Sequence, residues 1–538
     1  MTVIADPSTA ELEEALAGDA DGVIRVPVLM KGRLVLAPPV ASAHLRAAGA
    51  DENGATRFAV DGAFVIRRPT YDPVTLAATG EQQLLLLARP DPEELVERDL
   101  GALARGLYSL PFGEVLDYVA ALRDAVRDLG WIAEGVGSYA KASSPVHSST
   151  VDLGLGMLQR MLDPDGIAEA VDRELGGAEA AGRRFLDGWV EVSAQPLSGP
   201  AARMNRRIRG DDTREASERR CLVRAMPTRQ LHITAGNAIA VPLVSALRAF
   251  ATKSAAVIKS PAEATAAITA LAVAMHRVDP KHPLTRHTSL VYWPGGDHSF
   301  ETPLMRAGAF DRVVVWGSQE TVDSVRSRVE QAKTVLLQPR IGISLIARDA
   351  LEARLDDSAR RAVADSMAAN QRACHASLVH YVEGSPEQAR AYCVAVQAAL
   401  RTWDEVMPHA IQAPDLARLR WLRRGPLLSG EWFENGRWPH VTSAAVYMET
   451  PFDISTHPMS RLVVVRRVDD LTEALDFAHA GVSTVGVAPE RARDALRDEL
   501  AARGVSNVLP LGDCERAYPG MPHDGMRVLS ELVSWVSA

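Results

Sequence analysis

Apolar positions along the chain fall into three textures. From Val23 to about Arg68, VIRVPVLMKGRLVLAPP and TRFAVDGAFVIRRP are dense in β-favouring residues, with breaks at Lys31-Gly32 and Asp61-Gly62. They predict short strands joined by tight turns. From about Asp91 to Gly188, apolar residues recur at three- and four-residue spacing, as in FGEVLDYVAALRDAVRDLGWIAEGV, which predicts amphipathic helices. From about Ala225 onward, short apolar runs alternate with amphipathic segments: AAVIKS, EATAAITALAVAMHRV, TSLVYWP, DRVVVWGS, QETVDSVRSRVEQA, and later SRLVVVRRV, LTEALDFAHAG and VSTVGVA. That alternation predicts an α/β fold, a parallel sheet with helices on both faces.

One stretch tests this reading. QLHITAGNAIAVPLVSAL is uncharged and nearly long enough to cross a bilayer. Its Gln230, His232, Asn237 and Pro242 make that placement costly. A buried strand, a turn and a helix fit it better. Gly135-Val-Gly-Ser-Tyr-Ala140 matches a GxGxxA dinucleotide fingerprint, but a helical pattern precedes it where a strand is required. A loop between helices is expected there.

With 538 residues, two or three domains are expected. Hydrophobic content of 47% and charged content of 24% are ordinary for globular chains. The net charge of -9 provides no global field for nucleic acid or an anionic membrane. The basic run ARMNRRIRG is read as a solvated loop because DDTREASE follows it. The four cysteines, Cys221, Cys374, Cys393 and Cys514, lack metal or disulfide spacing. The first residues lack the basic and apolar runs of a signal peptide. A soluble, cytoplasmic protein is expected.

The candidate chemistry centres on NQRACHAS, where Cys374 is followed by His375. Taken alone, such a thiol is more often an inert core residue. Two further segments change its standing: LHITAGNAIAVPLVSALRAFATKSAAVIKSPAEAT and DRVVVWGSQETV. In this order and at these separations, the three resemble the aldehyde dehydrogenase superfamily. Within it, the likeness is greatest to the LuxC-type fatty acyl-CoA reductases of bacterial luminescence. The early IRVPVLMKGRLV and the late YPGMPHDGMRVLSELVSWV share it.

The resemblance implies an aldehyde-dehydrogenase-like architecture: a Rossmann-like cofactor lobe, an α/β catalytic lobe and an extra N-terminal β-then-helical region. The expected divisions are 1–90, 91–340 and 341–538. It also implies roles for single residues. Cys374 is the nucleophile. Asn237 matches the oxyanion asparagine, although Gly-Asn is also good turn chemistry. Lys259 ends an apolar strand, either to meet the cofactor or as a solvated strand end. Gly317 and Ser318 precede a helix whose free N–H groups suit a phosphate, or simply form its cap. Glu263 is placed for a ribose hydroxyl, or for stabilising the following helix. His375, His380, His457 and His523 are weaker candidates for acid or thiol-pairing roles.

Hydrolytic members of the superfamily carry a Glu about 35 residues before the Cys to activate water. Here Pro339 stands at that position, and no carboxylate lies between Val335 and Arg348. Without that base, water-driven release of an acyl enzyme is disfavoured. The resemblance therefore implies NADPH-dependent reduction of an acyl thioester to an aldehyde, with NADH also compatible. The substrate is expected to be acyl-CoA or an acyl carrier protein, and the assembly a homodimer or homotetramer. The alternatives are a CoA-acylating aldehyde dehydrogenase running in reverse and a cysteine acyltransferase or thioesterase without nicotinamide.

Overall fold

The computed structural model describes residues 6–20, 22–40, 59–60, 62–144, 146–176, 184–193, 220–236, 240–329 and 332–538, with positions 200, 204 and 208. The basic run from Ala202 to Gly210 therefore lies almost wholly outside the described residues. Two seven-stranded sheets organise the chain, accompanied by a four-stranded and a three-stranded sheet.

The first large sheet has five parallel strands in the spatial order Lys333–Leu337, Arg312–Trp316, Arg229–Ile233, Ala255–Lys259 and Thr288–Val291. Helices cover both faces, so its strands read as continuous apolar runs and not as alternations. AAVIK is buried from Ala255 to Ile258 and emerges only at Lys259. The order reverses between Arg229–Ile233 and Arg312–Trp316. In a doubly wound sheet, ligands bind in the crevice beyond the carboxyl ends at such a reversal. The stretch read as strand, turn and helix forms the strand Arg229–Ile233 and the helix Val241–Ala251.

The N-terminal strands divide between two sheets. The hairpin Val28–Met30 with Arg33–Val35 extends the first large sheet, antiparallel to Thr288–Val291. Its two-residue turn has Lys31 at φ 48° and Gly32 at φ 86°, the left-handed pair that such hairpins need. Gly32 is also crowded: a Cβ there would lie 2.5 Å from the Pro280 carbonyl oxygen. Val23–Val26 pairs instead with Ala78–Ala88 in the four-stranded sheet.

The middle region is helical, as its spacing predicts. Helix Phe112–Asp128 buries Phe112, Val115, Tyr118, Val119 and Leu122 along one stripe. The loop expected at Gly135–Ala140 is corrected: these residues lie inside helix Gly130–Ala142. The reason is packing. A Cβ on Gly135 would lie 3.2 Å from Leu16 Cβ, so this glycine admits the neighbouring helix Thr9–Ala17.

The second large sheet runs Glu431–Arg437, His440–Met448, Leu462–Val468, Ser377–Glu383, Ile341–Ile346, Val482–Ala488 and Asn507–Pro510. All its neighbours are parallel except the first pair. Alternate residues feed opposite cores: Leu462 and Val464 face one cluster, Val463 and Val465 the other. The chain's end then leaves this lobe. Val528 and Leu532 pack with Val314 and Val335 of the first sheet, and Ser534–Ser537 pairs with Arg220–Met226. The catalytic unit expected over 341–538 thus gives its last residues to the other lobe.

Candidate active site

Cys374 lies just before the strand Ser377–Glu383, at the amino edge of the second large sheet. Backbone contacts hold this loop from several sides. Ser483 Oγ donates to the Cys374 carbonyl oxygen at 2.6 Å, and Gly342 N–H donates to Ala376 O at 2.9 Å. A Cβ on Gly342 would lie 2.2 Å from the His375 carbonyl oxygen, so only glycine fits there.

The approach to Cys374 is unusual. Ala369, Asn370 and Gln371 have φ of 47°, 55° and 71° in succession. Left-handed backbone costs an ordinary residue about 1–2 kcal/mol, so side-chain bonds must hold this segment. Gln371 Nε2 donates to Leu462 O at 2.6 Å, and Leu462 N donates to Gln371 Oε1 at 3.2 Å. Asn370 Oδ1 accepts from Arg461 Nε at 2.7 Å.

The Cys374 thiol is partly buried. Burial, reinforced by the nearby Asp524 charge, pushes its pKa above the ordinary thiol value, while Arg340 opposes the shift. Cys374 is therefore predominantly thiol at neutral pH. A thiol in this condition requires deprotonation as it attacks.

At the facing carboxyl edge of the first sheet, the expected cofactor residues gather. Strand Arg229–Ile233 runs into Thr234, whose Oγ1 donates to Lys259 O at 2.5 Å. Gly236 follows, and a Cβ there would lie 2.4 Å from Glu263 Oε2. The Glu263 carboxylate thus lies against the turn that leads into Asn237. Asn237 itself lies outside the described residues.

Lys259 Nζ stands 5.9 Å from the Tyr292 ring centroid and 5.6 Å from that of Trp293. Among the described residues it has no hydrogen-bond partner. Burial pulls its pKa down against the charges of Glu301 and Glu263. Gly317 and Ser318 sit across the crevice, at the start of helix Gln319–Arg326. Ser318 Oγ accepts from Thr321 N at a long 3.4 Å, so the capping reading is also realised. Gly317 is tight: a Cβ would be 3.2 Å from the Thr321 side chain. A strand end with an unpartnered ammonium, a close-packed glycine and a helix start fit a dinucleotide.

Between the two edges lies a turn whose role was unreadable in sequence. His523 N donates to Met526 O at 3.0 Å, and Met526 N returns to His523 O at 2.9 Å. Asp524 and Gly525 occupy the two left-handed central positions, with φ of 52° and 78°. On the first-lobe side, His523 meets the Trp316 ring edge-on at 5.1 Å, and its Nδ1 accepts from Arg248 at 3.4 Å. On the other side, Arg340 Nε pairs with Asp524 Oδ1 at 3.2 Å. Burial beside Arg248 lowers His523 to about 3. It is therefore a neutral imidazole, with Nδ1 engaged as an acceptor.

The other histidines divide as follows. Burial also keeps His375 neutral, and its Nε2 is buried without a partner. His380 is a core residue: Nε2 meets Ser366 Oγ at 2.8 Å and Nδ1 meets Tyr392 OH at 3.0 Å. His457 Nδ1 accepts from Met459 N at 3.1 Å and its ring packs on Phe452, so its place too is structural. Arg340, Asp524, Arg461 and Ser483 were missed in sequence. The left-handed Asp524-Gly525 turn within HDGM was the one signal that pointed toward any of them.

Comparison with known proteins agrees with this arrangement. Among solved structures, the chain superposes on an aldehyde dehydrogenase from Brucella melitensis with a TM-score of 0.66 and 12% identity, covering 100% of this chain and 99% of that one. It superposes equally well on the NADP-dependent glyceraldehyde-3-phosphate dehydrogenase of Bacillus halodurans, solved with NADP, at 13% identity over 96% and 99%. The fold is therefore that of the aldehyde dehydrogenases. Long-chain acyl-protein thioester reductases of Photorhabdus laumondii and Vibrio harveyi are 28% and 26% identical over 59% of this chain. The aligned part of the chain spans 65% of the length of each of these relatives. The family model described as acyl-CoA reductase (LuxC) matches residues 218–535, more than half of the chain, which therefore belongs to the LuxC acyl-CoA reductase family.

Proposed function

We propose that this protein reduces an acyl thioester to an aldehyde through an S-acyl intermediate on Cys374. One observation carries the reading: the Cys374 loop at the amino edge of one sheet faces the carboxyl-edge crevice of the other, with the His523–Met526 turn spanning both. Residues 91–340, with the hairpin 28–35 and the chain's last residues packed on them, supply the cofactor lobe, and the rest of the chain from 341 the thioester lobe.

The Cys374 sulfur attacks the thioester carbonyl and expels the carrier as its thiol. Asn237, together with the Cys374 N–H, donates to the developing oxyanion. Lys259, Glu263 and the helix start at Gly317-Ser318 would hold a reduced nicotinamide dinucleotide, which when bound would supply hydride to the acyl carbon. The resulting thiohemiacetal collapses to aldehyde and Cys374 thiolate, which recovers its proton. Among the described residues, nothing at Pro339 competes by activating water. This absence favours the reductive direction over hydrolysis.

NADPH is the expected reductant, with NADH accepted. The Glu263 carboxylate pulls the other way, because there it would accept a ribose hydroxyl of NADH and repel the 2′-phosphate of NADPH. A homodimer or homotetramer is supported by exposed apolar side chains on and beside the three-stranded sheet: Leu222, Trp535, Val536 and Trp189. Among the described residues no helix is long and apolar enough to cross a membrane. All four cysteines are unpaired, which suits the reducing cytoplasm.

The test is covalent. Incubation with radiolabelled acyl-CoA without reductant should label wild-type protein on Cys374, and NADPH should discharge the label as aldehyde. Cys374→Ala should take up no label while retaining dinucleotide binding. Label on Cys221, Cys393 or Cys514 would refute the assignment.

A further inference from the structure

Helix Ala413–Arg424, APDLARLRWLRR, presents an outer face that the reaction does not use. Its inner face is ordinary, with Leu419 and Leu422 buried in the second-lobe core. Outward it displays Arg418, Arg420, Trp421 and Arg424, followed by Leu428 just past the helix. Trp421 is 55% exposed and Leu428 71%. Arg420 and Arg424 have no ion-pair partner among the described residues. Arg418 reaches only the Ser455 carbonyl oxygen, at 3.4 Å. Arg423 differs, since it pairs with Glu434 and lies over the rings of Trp432 and Trp438.

Structural economy does not explain this face. Basic residues complement the helix dipole only in the last turn, and Arg418 and Arg420 lie before it. Arg420 and Arg424, four residues apart, repel each other. A large aromatic beside unpaired arginines is characteristic of protein interfaces. In a chain of net charge -9, such a patch selects an acidic partner locally while the rest of the surface repels it.

The face also adjoins the nucleophile. Asp415, in the first turn, pairs with Arg372 at 3.7 Å, two residues before Cys374. Just upstream, His409 Nδ1 meets Asn370 Nδ2 at 3.3 Å. Twelve helical residues span about 18 Å, so the docking face starts beside the Cys374 loop and extends away from it. A membrane-lying helix needs a broad apolar face in the lipid. Here that face is turned into the core.

We propose that the Arg418–Leu428 face docks an acidic acyl-carrying protein that presents its thioester to Cys374. The proposal rests on the reductase reading above and assigns the surface on which the protein-borne form of its substrate docks. The test compares one acyl chain on acyl carrier protein and on CoA, using wild type, the double variant Arg420→Glu/Arg424→Glu, and Trp421→Ala. Charge reversal should lower kcat/KM for the carrier protein about tenfold or more and remove its salt dependence, while changing that for CoA less than about twofold. Trp421→Ala, at an exposed position that leaves the core intact, should lower the carrier value alone. Equal losses on both substrates, no loss on either, or a wild type that uses only acyl-CoA would overturn the proposal. So would sedimentation with phosphatidylglycerol vesicles that is lost on charge reversal while carrier kinetics stay unchanged. Wild type that forms aldehyde from neither substrate would count against the reductase reading itself.

Discussion

Arg461 Nε donates to Asn370 Oδ1 at 2.7 Å, four residues before Cys374. The same guanidinium, with a side chain only 2% exposed, pairs with Asp404 at 2.6 Å and donates to Met407 O at 2.7 Å. One buried cation thus ties the left-handed approach to Cys374 to the 404–407 segment. Arg461→Met removes the cation from the half-buried Asp404, which keeps only the Thr442 and Ser443 hydroxyls as donors, and it frees the 369–371 segment. The expected result is a lower melting temperature and at least about a tenfold slower alkylation of Cys374, with kcat falling more than KM rises. Arg461→Lys restores charge without the fork, and should recover stability more than alkylation rate. Normal alkylation in a folded Arg461→Met would dismiss the positioning role.

Asp524 stands on the other side of the thiol. Burial of the thiol, and secondly the Asp524 charge, hold Cys374 above the ordinary thiol value of about 8.5. Asp524→Asn removes the repelling carboxylate and releases Arg340 to favour the thiolate. Both effects act in one direction, so the midpoint of the pH–alkylation curve should move down, with faster alkylation at neutral pH. An upward or absent shift would show that the carboxylate does not act on the sulfur.

Glu263 offers a test of reductant choice. Because its carboxylate lies against Gly236 at the crevice, Glu263→Gln removes a negative charge beside the ribose. The NADPH:NADH ratio of kcat/KM should rise, by about tenfold for a relieved repulsion of about 1.4 kcal/mol. An unchanged ratio would place Glu263 as a first-turn helix carboxylate only.

Asn237→Ala addresses the oxyanion donor. Loss of one such donor lowers kcat by about 100-fold or more, with little effect on substrate affinity. A rise in KM alone, measured by steady-state kinetics, would leave Asn237 as a turn residue.

Pro339 gives a kinetic expectation. With one acyl-CoA and no nicotinamide, release of free acid should be slow compared with aldehyde formation when reductant is present. Rapid acid formation abolished by Asp524→Asn would instead identify Asp524 as a replacement base.

How far the site was legible follows from the range of each signal. Lys259 was readable because a charge at the end of AAVIK interrupts a run that burial on both faces makes apolar. Gly317-Ser318 was readable because a strand, a glycine and a polar cap followed by an amphipathic helix are consecutive in the chain. Cys374 needed the company of the other segments, since nothing within NQRACHAS separates a nucleophile from a packed thiol. Three left-handed residues before it left no local mark either, because only Asn370 is a type that favours that conformation.

The sequence by itself determined the alternation of strands and helices from Ala225 onward, since apolar periodicity is a property of neighbouring residues. It also determined which strands are buried on both faces, and that no carboxylate stands at position 339. Only the tertiary structure decided that Val28–Val35 extends the first large sheet and that Gly135 lies in a helix. Only the fold brought His523 to Trp316, Asp524 to Arg340, and Arg461 to Asn370. These pairs are 207, 184 and 91 residues apart in the chain. His523 meets Trp316 through the placement of the two lobes, and Arg461 meets Asn370 through the pairing of neighbouring strands, and no local pattern of residues encodes either meeting.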